Sequence, residues 1–192
     1  LKRRRLGLAC VPEDRLGRGA VPDMDLAHNA LLTSFDSGLV KKGFLVKQKI
    51  SQLADKIIKK YNVKTPSNRT HAASLSGGKL QKFIIGREVE QNPQLLVMSH
   101  PTLGVDIGAQ VAIHEAILTL RDEGCAVLVI SEDLDELYKI CDRIGAICDG
   151  KLSPILNTDC VPLVQLGQWM AGDFNHDTKS NTAKITPQGA PA

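Results

Sequence analysis

The residues best suited to chemistry form one short run, Ser74-Leu75-Ser76-Gly77-Gly78-Lys79-Leu80-Gln81-Lys82. A hydroxyl and two glycines stand directly before a segment whose apolar residues Leu80, Phe83, Ile84 and Val89 have a roughly helical spacing. Ser76 is placed to cap that helix, and the glycines would let a ligand approach the backbone closely. Free amides and the positive end of the helix dipole would then face outward, which suits a phosphate. The same residues also describe an ordinary serine-capped helix after a loop. Two other places carry reactive groups. Ser99 and His100 end an apolar run, and an imidazole there could act as a base near neutral pH, although no orienting carboxylate is adjacent in sequence. After a second apolar run comes Ser131-Glu132-Asp133-Leu134-Asp135-Glu136.

These groups need elements to hold them. Residues 6–11 read as a strand ending at Pro12, followed by a polar loop over 13–25. Residues 27–35 read as a short helix and 36–42 as a polar linker. Ile50, Leu53, Ala54, Ile57, Ile58 and Tyr61 repeat at helical intervals, with lysines on the other faces, and predict an amphipathic helix. Pro66 interrupts the polar connection that follows. Asn92-Pro93 ends the glycine-led helix, and residues 95–98 read as a short buried strand. A helix over 106–120 closes at Gly124. The continuous run 126–130 predicts a parallel strand covered on both sides. A short helix over 134–140, a strand over 143–148, a turn at Asp149-Gly150 and a helix over 161–171 complete the folded part. Residues 173–192 are polar and aperiodic and read as a disordered tail.

The chain has 192 residues, enough for one domain with a sizeable core, and its net charge of +3 is too small to argue for nucleic acid. The basic run Lys2-Arg3-Arg4-Arg5 reads as a solvated helix end. Its five cysteines lack paired spacing and read as buried free thiols, with no metal site expected. No signal peptide and no bilayer-length apolar run is present, so any membrane role would run through a partner. The first residue is Leu rather than Met, at a basic helix end, which reads as a fragment.

The order of these runs resembles the second half of an ATP-binding-cassette (ABC) ATPase. The matching parts are the signature motif over 75–79, the Walker B strand over 95–98, the D-loop ending at Asp106 and the switch position at Glu132. The stretch from Leu6 through Pro12-Glu13-Asp14-Arg15 and Gly17-Arg18-Gly19 to Val21-Pro22-Asp23 is similar to the second cassette of bacterial simple-sugar and nucleoside importers. The resemblance covers residues 6–172 and implies an α/β fold of the P-loop NTPase type. It has a mostly parallel sheet and a helical subdomain over about 36–82, and it lacks the Walker A strand and helix. A phosphate-loop pattern is approached at Gly145-Ala146-Ile147-Cys148-Asp149-Gly150-Lys151-Leu152, but Leu152 offers no hydroxyl and no helix follows.

Against that family, Glu13 stands at the glutamine-loop position, Ser99 and His100 replace the Asp-Glu pair of Walker B, and Glu132 replaces the switch histidine. These departures imply a degenerate site of the chain's own. The signature residues Ser76, Gly77, Gly78 and Lys79 would instead meet ATP, with its Mg²⁺, held by a partner cassette. The implied role is that of an importer's ATP-binding subunit for sugars or nucleosides. It would work with transmembrane permease subunits at the cytoplasmic face of the inner membrane, peripherally and without nucleic acid. A non-catalytic interaction or regulatory module of cassette shape is the alternative.

Overall fold

The computed structural model describes residues 2–34 and 38–174. The expected helix end at Phe35, the start of the linker and most of the expected tail lie outside them. The chain divides into two compact units, residues 1–140 and 141–192, where one cassette is expected over 1–172.

The first unit opens with α1 (Lys2–Arg5) and β1 (Leu8–Val11), then α2 (Leu26–Ser34), the short strands β2 (Val40–Lys41) and β3 (Phe44–Leu45), and α3 (Lys47–Lys60). α4 (Gly77–Val89), β4 (Leu95–Ser99), α5 (Ile107–Asp122), β5 (Ala126–Ile130) and α6 (Leu134–Ile140) follow. Three strands form a parallel sheet in the order β1-β4-β5, with Val11 opposite Met98 and Ser99 opposite Ile130. Because all three run the same way, the loops that leave them emerge at one edge. That edge is where open parallel sheets place their ligands.

α4 packs on β1 and α5 on β5. Burial alternates along the strands as the pleat requires: Ala9, Val11, Leu96 and Met98 are buried, whereas Cys10, Leu95, Leu128 and Ile130 are exposed. The expectation that β5 is covered on both sides is therefore corrected, since Leu128 and Ile130 are each 51% exposed. An apolar run cannot by itself tell a strand buried on two faces from one buried on a single face.

A second cluster joins the helices outside the sheet. Leu26, Ala30, Leu39, Ile50, Ala54, Ile57, Val63 and Phe83 pack together, drawing α2, α3 and α4 into one core. The amphipathic pattern of α3 is thus satisfied, with Ile50, Ala54 and Ile57 inward. The segment read as a polar linker over 36–42 holds β2, and it leads into a β2–β3 hairpin whose turn residues Lys42 and Gly43 both have positive φ, as a two-residue hairpin requires.

The second unit contains β6 (Arg143–Ile144), β7 (Ile147–Cys148), β8 (Lys151–Leu152), β9 (Leu156–Asn157) and α7 (Leu163–Met170). The single strand expected over 143–148 is in fact two. It breaks at Gly145-Ala146, where the Ala146 N–H donates to Ser153 Oγ at 2.9 Å and the Ser153 N–H donates to the Ala146 carbonyl. β6 pairs with β9 and β7 with β8, both antiparallel. Asp149 and Gly150, at φ 48° and 73°, make the expected tight turn, so the phosphate-loop look-alike is a hairpin.

Two smaller expectations are also corrected. Only Cys125 is buried; Cys10 and Cys160 are exposed, and Cys141 and Cys148 are intermediate. The basic run is not wholly solvated, because Arg4 Nη1 donates to the buried Glu88 carboxylate at 2.8 Å. Glu88 also pairs with the buried Arg87 through its Nε at 2.9 Å, so the carboxylate has a cation on each oxygen. A buried charge is tolerated only when paired in this way.

Candidate functional site at the start of α4 and the loop edge of the sheet

The glycine-led helix begins where its sequence places it. Ser76 occupies the position before the first turn with extended backbone (φ −64°, ψ 155°), but its hydroxyl accepts no capping hydrogen bond. The capping role expected of its side chain is therefore corrected; Ser76 is exposed and its hydroxyl is free for another partner. Among the described residues, the N–H groups of Gly77, Gly78 and Lys79 donate to no acceptor. A helix start with free amides and a hydroxyl attracts anions. Lys79 is exposed beside it.

The two glycines have a structural cause that their sequence does not reveal. A Cβ on Gly77 would stand 2.6 Å from Arg15 Nη1, and one on Gly78 would stand 3.2 Å from Asp106 Oδ2. The space a side chain would need is thus taken by the protein's own groups, a cation on one side and a carboxylate on the other. Asp106 is committed to the fold as well, because its Oδ1 accepts from the Ala109 N–H at 2.9 Å and caps α5. Arg15 Nε donates to Gln81 Oε1 at 3.2 Å, and Gln81 Nε2 donates to the Pro101 carbonyl at 2.9 Å. Partial burial lowers the Arg15 pKa from its ordinary value.

The loops leaving β1, β4 and β5 bring three of the expected positions together. Glu13, His100 and Glu132 line one cleft of about 400 Å³. Ser99, the fourth, ends β4 opposite Ile130. The cleft lining includes four carboxylates, those of Glu13, Glu132, Asp133 and Glu136, and neither lysine nor arginine. Such a lining opposes a triphosphate. His100 sits at φ 46°, its N–H bonded to the Ile130 carbonyl at 2.7 Å, and no carboxylate hydrogen-bonds its ring among the described residues.

No protein-family model matches the chain. It is 43% identical over 163 residues to the nucleoside import ATP-binding protein NupA of Lactococcus lactis subsp. cremoris, covering 84% of this chain and 32% of that protein. Against the guanosine import ATP-binding protein NupO of Bacillus subtilis the identity is 39% over 172 residues, covering 86% and 33%. Against the galactose/methyl galactoside import ATP-binding protein MglA of Vibrio vulnificus it is 38% over 152 residues, covering 79% and 30%. The chain therefore spans about a third of the length of these relatives. Among solved structures it matches the dimeric post-hydrolysis state of the ATP-binding cassette MJ0796 bound to ADP and Pi. That match has a TM-score of 0.67 and 19% identity, covering 82% of this chain and 65% of that one. The chain is a homologue of import ATP-binding proteins and has the ABC ATPase fold.

One buried group beneath the cleft does not follow from the sequence pattern. Glu136 is 2% exposed and accepts three hydrogen bonds, from Thr102 Oγ1 at 2.7 Å, from Ser131 Oγ at 2.9 Å and from His114 Nε2 at 3.1 Å. It ties the loop after β4, the loop after β5 and the middle of α5 to one carboxylate. His114 Nδ1 is buried without a partner among the described residues. Thr102, Ser131 and Glu136 all stood in the matching runs of sequence, but nothing in their spacing shows that they converge. Gln81 was likewise hidden, because an amide on a helix usually faces water and here it is 1% exposed.

Proposed function

We propose that this chain is the C-terminal part of the second cassette of a sugar or nucleoside importer's ATP-binding protein. In this reading the start of α4 closes over ATP held by a facing cassette, while the chain's own site is degenerate. The observation that carries it is the contrast between two neighbouring surfaces. Ser76 and the free amides of Gly77, Gly78 and Lys79 fit a phosphate; the cleft at Glu13, His100 and Glu132, with four acids and no lysine or arginine, does not fit MgATP. No step is therefore assigned to the chain's own cleft.

The nucleotide, held with Mg²⁺ by the facing cassette, would supply the phosphoryl group. This chain's part is to place donors where negative charge grows, with the helix dipole and the Lys79 ammonium in support. Asp106, packed on Gly78, holds the D-loop against the same helix start. The partners would be the facing cassette and transmembrane permease subunits, which would hold the protein at the cytoplasmic face of the inner membrane. No helix among the described residues is long and apolar enough to cross a membrane. Calorimetry of the purified chain with MgATP tests the first half of the reading. Affinity far weaker than micromolar is expected, and micromolar binding would show that the acidic cleft holds nucleotide after all.

A further inference from the structure

The start of α4 and the chain's own cleft are joined through one buried amide. Gln81 lies one turn into α4, is 1% exposed and uses both ends of its side chain: Oε1 accepts from Arg15 Nε at 3.2 Å, and Nε2 donates to the Pro101 carbonyl at 2.9 Å. Arg15 belongs to the loop after β1, two residues beyond Glu13. Pro101 belongs to the loop after β4, directly beyond His100. Each of two cleft-lining positions is thus within two residues of a partner of Gln81.

Arg15 is itself well anchored to its loop. Its carbonyl accepts from the Ala20 N–H at 2.7 Å, and the Gly19 N–H returns to the Asp14 carbonyl at 2.8 Å, so residues 14–20 form a closed turn that carries the guanidinium. The guanidinium reaches across Gly77, and its Nη2 comes within 3.9 Å of a Cβ built on Gly104. Among the described residues no carboxylate pairs with Arg15, so the bond to Gln81 fixes its direction. An amide buried with both ends engaged cannot turn without leaving a donor or an acceptor unsatisfied, so a shift of either loop is felt by α4.

We propose that Arg15 and Gln81 are positioning residues forming a relay, which sets the Ser76–Gly78 end of α4 according to the loops after β1 and β4. The degenerate cleft then keeps a use: the state of its loops is passed to the helix start that faces the partner's nucleotide. The relay rests on the reading of α4 as a trans-acting signature.

The test is steady-state ATP turnover of the complete ATPase that carries this chain, with variants R15M, Q81E, R15M/Q81E, R15K and S76D. Q81E keeps an acceptor for Arg15 but sets an oxygen against the Pro101 carbonyl. R15M and Q81E are each expected to lower kcat about tenfold with KM for ATP unchanged, because the nucleotide is held opposite. The double variant is expected to fall no further than the worse single one, as two members of one chain do. R15K, which still donates to Gln81 Oε1, is expected to recover most of the loss. Arg15 is half-buried at a loop, so R15M keeps the fold; should Q81E fail to fold, Q81M removes both bonds at similar volume, and the same loss is expected of it. Unchanged kcat in both single variants, or losses that multiply in the double one, overturns the relay while S76D still abolishes turnover. Full turnover in S76D overturns the trans-acting reading beneath it, and the relay's role with it.

Discussion

The guanidinium of Arg15 takes the place that a side chain on residue 77 would need, with Nη1 2.6 Å from the ideal Cβ position of Gly77. Arg15 Nη1 is the far end of a flexible side chain, so it can move aside. Gly77→Ala is therefore expected to displace Arg15 from Gln81, to cost about 1 kcal/mol or more in a thermal melt because the buried Gln81 Oε1 loses its donor, and to lower turnover of the complete ATPase. Gly77→Asp, although it would set a negative charge against a phosphate, is a poor probe here, because the new carboxylate would meet Arg15 and pair with it. Unchanged turnover in Gly77→Ala would contradict this account of the residue.

Gly86 presents the opposite case on the same helix. A Cβ there would stand 2.5–2.8 Å from the ring atoms of Tyr61, whose hydroxyl donates to Glu90 Oε1 at 3.3 Å and holds the ring in place. Gly86→Ala should cost about 1–3 kcal/mol, the usual penalty for overpacking. Chemical denaturation of the purified chain reads this directly, and a neutral result would mean that the ring swings away freely.

Glu136 gathers three donors from three elements under the cleft. Glu136→Leu takes the acceptor away from the Thr102 and Ser131 hydroxyls and the His114 ring and is expected to destabilise by roughly 1–3 kcal/mol or more. Glu136→Gln, which keeps an acceptor, should cost less. Equal losses in the two variants would show that packing volume, rather than the hydrogen bonds, matters at this position.

Glu90 sets a pH dependence. Burial raises its pKa, but hydrogen bonds from Lys56 and Lys60, at 2.5 and 2.7 Å, outweigh that and hold it below its ordinary 4.5. A carboxyl with a depressed folded pKa adds stability that is present above its unfolded value and is lost as pH falls through the folded one. Melting temperature is thus expected to drop as pH falls below about 4.5, and Glu90→Gln should flatten part of that drop. An identical acid profile in Glu90→Gln would contradict the assignment.

The sequence was most legible where one physical cause acts alone. The residues of α6 follow from their apolar spacing, and the Asp149-Gly150 turn follows from two residues that tolerate positive φ. The meeting of Glu13, His100 and Glu132 followed only from the family resemblance, since parallel strand order cannot be read from spacing. What stayed hidden depends on contacts across the fold. The half-exposed β5 has the same letters as a fully covered strand. The break in the expected 143–148 strand is made by Ser153, distant from its apolar run. The partners of Gly77, Gly78 and Gln81 come from loops far away in sequence, so a motif that looks shaped for a ligand is shaped equally by Arg15 and Asp106.

The central claim is that α4 acts on a nucleotide held by a facing cassette while the cleft at His100 does no chemistry. Ser76→Asp tests it most directly, because aspartate suits a helix start as well as serine and keeps the fold, yet sets a negative charge against the phosphate. Steady-state ATP hydrolysis by the complete ATPase, assembled with its permease, is measured for Ser76→Asp, Ser99→Ala and His100→Ala beside the parent. Ser76→Asp is expected to lower turnover by about 10²–10³, the scale on which one well-placed donor to a transition state acts, with Ser99→Ala and His100→Ala close to the parent. Abolished turnover in His100→Ala, with Ser76→Asp unimpaired, would contradict the claim and make His100 the catalytic residue.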